Sequence, residues 1–290
     1  MEYIFHIIIL VLVYTILAVS LDLLAGHTGL LSIAHAAFYG LGAYTAALLA
    51  VECGTPFFVA VLIGMSIAAV VSFCVSLPSL RLHDDYFVIA TFGFQIIIFS
   101  VFNNWMNLTR GPFGIPGIPR PVIFGWSPES NGTFLLLAAL FAAFAYAVVN
   151  RIVTSPYGRV LRAIREDELF TRAVGKSVFR FKIMTFAISA ALAASAGCLY
   201  AHYVNYVGPT SFTVTESILV ISMVIIGGAG SRWGPLLGAT ILVTLPEMLR
   251  FLGLPSSTAA NLRQIIYGTL LVILMMVRPR GLVGKYDFGR

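Results

Sequence analysis

Stretches of about 20 mostly apolar residues recur along this chain, and that length of helix crosses a hydrocarbon core roughly 30 Å thick. Nine are predicted: 4–21, 30–50, 57–77, 86–105, 132–153, 182–204, 216–229, 235–252 and 263–278. Composition agrees. Of the 290 residues 59% are hydrophobic and 10% charged, against about 25% charge in a typical soluble domain, and mean hydropathy is +0.94. A water-soluble globule cannot hide that much apolar surface, whereas lipid can. The expected fold class is all-α: a polytopic transmembrane helix bundle of about nine spans, some Gly-interrupted or re-entrant, in a single domain over 1–290.

The stretches differ in what they ask of their surroundings. The seventh is short and bounded by glycines, which suits a tilted, broken or partly re-entrant segment. The second is rich in Ala and Gly, which favours close helix packing over lipid contact. The first follows Met1-Glu2-Tyr3 with no Lys or Arg before Arg81, so it lacks the basic start of a secretion signal and reads as a retained span. Residues 106–131 hold Pro112, Pro116, Pro119, Pro121 and Pro128 with four glycines and read as a structured external loop.

Lys and Arg outnumber Asp and Glu, 18 to 12. The densest basic run, Arg151 to Lys182, lies between two apolar stretches and lacks the aromatic platforms that stack on bases, so no nucleic-acid partner is expected. Such a run marks the cytoplasmic side. With the C-terminal Arg278, Arg280, Lys285 and Arg290 also inside, fourteen of the 18 basic residues are cytoplasmic and four external. The expectation is a multi-pass protein of a bacterial-type inner (plasma) membrane, surrounded by lipid, with its C-terminus cytoplasmic and its N-terminus external.

Catalytic chemistry has little to stand on. Cys53, Cys74 and Cys198 match no metal or redox spacing and read as small buried apolar residues. No cluster has metal spacing and no nucleophile has its base, so no catalytic residue, metal or cofactor is assigned. Gly175-Lys176-Ser177 ends like a phosphate-binding loop, but the Gly needed five positions earlier is Phe170. Asp22, Glu52, Glu216 and Glu247 fall near predicted helix ends, unlike the deep ionisable groups of proton-coupled carriers. A secondary transporter or channel and a membrane-embedded enzyme are the competing classes.

The segment Ser155 to Gly175 carries the most information outside the spans. Ser155 before Pro156 is a helix start, and Gly175 is a stop. Val160, Leu161 and Ile164 form one apolar face, and Leu169, Phe170, Ala173 and Val174 another. The offset predicts two short helices bent near Glu166–Glu168, where acidic residues favour the second N-terminus. Physically this is either an amphipathic helix on lipid headgroups or a knob that enters a partner's groove.

That segment, with Gly158-Arg159, Ala163-Ile164-Arg165 and Asp167-Glu168, resembles the coupling loop of the branched-chain amino-acid permease family of ABC importers. Three other places agree: Gly29 to Tyr44, Asn103-Asn104-Trp105 with Gly114 to Pro119, and Gly227 to Pro235. The long Pro-rich external loop is more like the M-type subunit of the pair than the H-type. The family often has Asn where this chain has Asp22, an aromatic at His27, a Gly-Gly pair at Arg110-Gly111 and a small residue near Phe170.

The resemblance implies a permease subunit in a heterodimer with a homologous second permease, two ABC ATPase subunits and an extracytoplasmic substrate-binding protein. ATP would be hydrolysed on the separate subunits, since concentrating a solute a thousandfold costs about 4.1 kcal/mol. The implied cargo is leucine, isoleucine or valine; the alternative within the family is urea, short amides or other amino acids. The implied ATPase contact, within the coupling loop 155–181, comprises Pro156, Tyr157, Gly158, Arg159, Arg162, Ala163, Ile164, Arg165, Glu166, Asp167, Glu168, Ala173 and Gly175. Ser32, His35, Tyr39 and Gln95 are the candidates for lining a polar translocation pathway.

Overall fold

A computed structural model describes residues 2–80, 84–121 and 130–250, together with 265, 266, 268, 269, 272, 273, 276 and 281–284. Helices occupy the first eight predicted stretches: α1 (Glu2–Ala25), α2 (His35–Glu52), α3 (Phe57–Ser79), α4 (Asp84–Asn104), α6 (Asn131–Thr154), α9 (Val178–Val204), α10 (Val214–Gly227) and α11 (Gly234–Arg250). Between them lie the short helices α5 (Met106–Thr109), α7 (Pro156–Glu166) and α8 (Glu168–Ala173), and two-residue strands β1 (Ile115–Pro116) and β2 (Tyr206–Val207). Among the described residues six segments are long and apolar enough to cross a membrane, which makes this a polytopic helical membrane protein. The expected nine spans are not reached by that measure. Of the ninth stretch only 265, 266, 268, 269, 272, 273 and 276 are described, and these are helical; Arg81, Arg278, Arg280, Lys285 and Arg290 lie outside the described residues.

The second stretch requires a correction. Helix α2 begins at His35, not near residue 30, and the chain before it is irregular and mostly buried. Local side-chain bonds compete with helix here: the Ser32 hydroxyl accepts from the Ala34 amide (3.3 Å), and the Ile33 amide donates to Thr91 on α4 (3.2 Å). Gly29, at φ 79°, turns the chain out of α1. A matching break follows α10, whose 14 residues rise only about 21 Å before Gly228 (φ 109°) ends it.

Helix α9 is the axis of the bundle. Its 27 residues span roughly 40 Å, and it packs against α1, α2 and α3. The approach to α2 is backbone on backbone: a methyl group on Gly42 would overlap the Ala194 carbonyl, and one on Gly197 the Tyr39 carbonyl. Small residues thus bring helices together where lipid supplies no hydrophobic drive between them. Helices α3, α4 and α6 instead expose Leu62, Val70, Ile89, Ile97, Leu136 and Leu140, the surface a bilayer covers. Cys198 is buried and donates to the Gly42 carbonyl (3.3 Å), but Cys53 and Cys74 are exposed, so burial holds for one cysteine of three.

At one end of the bundle β1 pairs antiparallel with β2, fastening the Pro-rich loop to the end of α9. The Asn205 side chain donates to the Ile118 carbonyl (2.6 Å), and His202 Nδ1 lies 2.7 Å from the Pro119 oxygen. The structured character expected of 106–131 holds over its described part; 122–129 lies outside it. At the opposite end α6 gives way to α7.

Candidate functional site

The α7–α8 elbow forms as its sequence dictates. The Ser155 hydroxyl accepts from the Gly158 amide (3.4 Å), with Pro156 in the first turn. Asp167 ends α7 in extended conformation and caps α8, its carboxylate accepting from the Phe170 amide (2.8 Å). Gly175, at φ 83°, stops α8. Gly158, Leu161 and Ile164 are buried against the bundle, whereas Leu169, Phe170 and Val174 are 75%, 66% and 61% exposed. Val160 is half-buried. With Pro156, Arg159, Ala163, Phe170, Thr171, Val174 and Lys176 it lines an open groove between the two helices.

The thirteen residues assigned to the coupling contact divide between two roles. Pro156, Arg159, Glu166, Asp167, Ala173 and Gly175 are exposed, and Ala163 opens on the groove. Tyr157, Gly158, Ile164, Arg165 and Glu168 hold the elbow to the spans, and half-buried Arg162 bonds back to the Gly158 carbonyl (3.4 Å). The Tyr157 hydroxyl donates to the Phe181 carbonyl (3.0 Å) and lies 2.9 Å from the Thr185 hydroxyl; burial raises its phenol above the ordinary range. Glu168 accepts from Arg172 (2.7 Å) and from Lys182 (2.6 Å) at the start of α9.

Arg165 reaches the other way, donating to the Gly26 carbonyl just past α1. Beside it Asp22, only 2% exposed, accepts from the Gly230 amide (2.7 Å) in the break between α10 and α11. His27 Nε2 lies 3.5 Å from Asp22, a contact that would be an ion pair only with a protonated ring. Burial first, then the Arg165 and Arg162 guanidinium groups, push His27 from its ordinary 6.5 down to about 4, so the ring is neutral at pH 7. Elbow, first break and second break therefore meet in one small region.

The pathway candidates are all buried. Gln95 donates to the Phe212 carbonyl (2.8 Å) and accepts from Ser217 (3.4 Å), whose hydroxyl also receives the Ala36 amide (3.0 Å). His35 Nε2 is 2.8 Å from the Ser20 hydroxyl. The Tyr39 ring packs on Tyr200 and Phe212 (centroids 5.4 and 5.1 Å). His35, Tyr39 and Gln95 thus share the junction of α1, α2, α4 and α10, while Ser32 sits in the irregular segment before α2. In this conformation the junction is packed shut.

The family described as branched-chain amino acid transport system / permease component matches residues 3–275, elbow and both breaks included. The chain belongs to that family. It is 36% identical to the high-affinity branched-chain amino acid transport system permease protein LivM of Escherichia coli, over 94% of this chain and 68% of that protein. To the probable branched-chain amino acid transport permease protein LivM of Methanocaldococcus jannaschii it is 30% identical, over 77% of this chain and 68% of that one. Identity to the LivH permease protein of Escherichia coli is 23%, over 94% and 91%. No solved structure matches it.

Reading the sequence missed part of this permease's machinery. Asp22 reads in the sequence as a departure from a family pattern and as an acid near a helix end, but its partner Gly230 is 208 positions away. Lys182 was counted with the basic residues, yet it is 6% exposed and paired with Glu168. The Gly227–Gly234 cluster was the available signal: glycines in that density imply close backbone approach, but not to what.

Proposed function

We propose that this permease is the M-type transmembrane subunit of an ATP-driven importer for leucine, isoleucine and valine. Its working complex would contain a homologous second permease, two ATPase subunits that hydrolyse the ATP, and an extracytoplasmic binding protein that delivers the amino acid. The α7–α8 end faces the cytoplasm on this reading, and the β1–β2 end faces the binding protein. One observation carries it most directly: a family match that runs the length of the described bundle includes an elbow whose apolar side chains are exposed beyond the spans.

The coupling contact is formed by the exposed Pro156, Arg159, Glu166, Asp167, Ala173 and Gly175 with half-buried Ala163 on the groove, and Leu169, Phe170 and Val174 supply the apolar area. Approach of the ATPases would shift the population between two packings, which requires different contacts with the elbow in each. The closed junction at His35, Tyr39 and Gln95 is where the pathway opens on this reading, since three of the four candidates meet there and a zwitterion needs polar partners.

The test is reconstitution of the complex in proteoliposomes with labelled leucine. ATP-dependent uptake that requires the binding protein is the expected result. Uptake that persists without ATP or ATPase subunits would replace this reading with a secondary carrier. Preferential uptake of urea or short amides over leucine would move the cargo while keeping the mechanism.

A further inference from the structure

Helices that are broken must be moved at their breaks, and this permease places two breaks within one side chain of each other. The first, after α1, runs from Gly26; the second, after α10, begins at Gly228. Gly26 leaves no room for a methyl group between Asp22 and the Gly230 amide, so the two breaks lie backbone against backbone. Asp22 closes the gap by accepting from Gly230 (2.7 Å). Helix α7 rests on the same spot: Arg165 donates to the Gly26 carbonyl, and its Cγ would lie 3.2 Å from a methyl group on Gly29.

From these contacts we infer that Asp22 and Arg165 are positioning residues of a relay that carries movement of α7 to both broken-helix junctions at once. The relay rests on the importer reading above. Arg165 draws on Gly26, the Gly26 amide is bonded to the Asp22 carbonyl, Asp22 cannot separate from Gly230 without breaking a buried bond, and Gly230 leads into α11. The second break is held on its far side as well, where the amides of Leu282 and Val283 donate to the carbonyls of Ile226 and Gly227 (3.0 and 3.1 Å). Displacing α7 therefore shifts the start of α2 and the start of α11 together. Those helices bear on the junction of His35 and Gln95, α2 directly and α11 through α10. The requirement at residue 22 is an oxygen acceptor, because losing it strands a buried amide that water cannot reach.

The experiment uses the complete complex, with leucine uptake, ATP hydrolysis and co-purification of the ATPase subunits read on each variant. Asp22→Asn keeps the acceptor without the charge and transports within about twofold of the parent. Arg165→Met and Asp22→Leu each lower uptake by about tenfold, a coupling effect of ordinary size, while the ATPase subunits still co-purify and still hydrolyse ATP. The double variant Asp22→Leu/Arg165→Met is no worse than the worse single one, because both interrupt one path. Arg165→Met lies at the surface of the spans and decides the matter if Asp22→Leu does not assemble. Parent-level uptake in Arg165→Met overturns the relay, as do additive losses in the double variant. Loss of the ATPase subunits on Arg165→Met makes that residue a docking contact and overturns it too. A parent complex without ATP-dependent uptake sinks the importer reading itself, and the relay falls with it.

Discussion

Helices α7 and α8 are neighbours joined at a single residue, yet they dispose of their apolar side chains in opposite ways. Leu161 is fully buried and Ile164 4% exposed, both seated on the chain's own spans, whereas Leu169 and Phe170 are left open. Both helices are amphipathic enough to demand a covered face. One has found its cover within the chain, and the other presents it outward beside a groove. On the proposed importer reading, the difference separates the two tasks of a coupling loop. A surface that receives force has to be free to meet a partner, and a surface that delivers it has to be fastened to what moves.

Substitutions on the two helices sharpen that contrast, and the largest effect belongs to the fastened one. Leu161→Ala removes a buried side chain and costs about 2–5 kcal/mol, seen as lower thermal stability of the purified permease in detergent. Equal stability of this variant and the parent would mean that α7 is not seated as described. Phe170→Ser leaves stability within about 0.5 kcal/mol, as exposed positions do. The same change weakens ATPase-subunit binding by about 2 kcal/mol if Phe170 is a hot spot, measurable by titration of the ATPase onto the permease. Unchanged affinity would place the contact elsewhere on the elbow.

Glu168 spans the contrast, because it belongs to α8 but bonds to α9. Glu168→Ala takes one carboxylate from the buried Lys182 amine and costs about 1–3 kcal/mol, while Arg172→Ala, at the exposed end of the same pair of bonds, costs under about 1 kcal/mol. Comparable losses in the two variants would contradict the burial assigned to Lys182.

A last contrast concerns pH at the α7 seat. His27 binds a proton near 6.5 when unfolded and only near 4 in the fold. Between those values the unfolded chain holds the extra proton, so stability falls as pH drops from 6.5 toward 4. Asp22, Arg162, Arg165 and Arg232 surround the ring. His27→Gln flattens this part of the acid dependence, followed as melting temperature between pH 7 and pH 4.5. A parallel slope in variant and parent would show that His27 does not titrate across that window.

The elbow was legible in the sequence because its signals are local. Ser155 with Pro156, the acids near residue 167 and Gly175 each act on backbone within four positions, and the helices end where those residues put them. The start of α2 was not, although Gly29 stood in plain view. An apolar run from Leu30 reads as helix until Thr91, on another helix, takes the Ile33 amide. Periodicity also could not tell which apolar face of the elbow would be covered, since Leu161 and Leu169 look alike until the spans are placed.

Hydropathy alone determined that this chain lives in lipid and is helical there, because a bilayer offers no partner to an unbonded amide and charge is too sparse for water. Only the tertiary structure decided which helix is the axis, which apolar side chains stay exposed, and that Asp22 meets Gly230. Those outcomes depend on close approach between residues far apart in the chain. No pattern of neighbours encodes a contact that two folded backbones make only after both have turned.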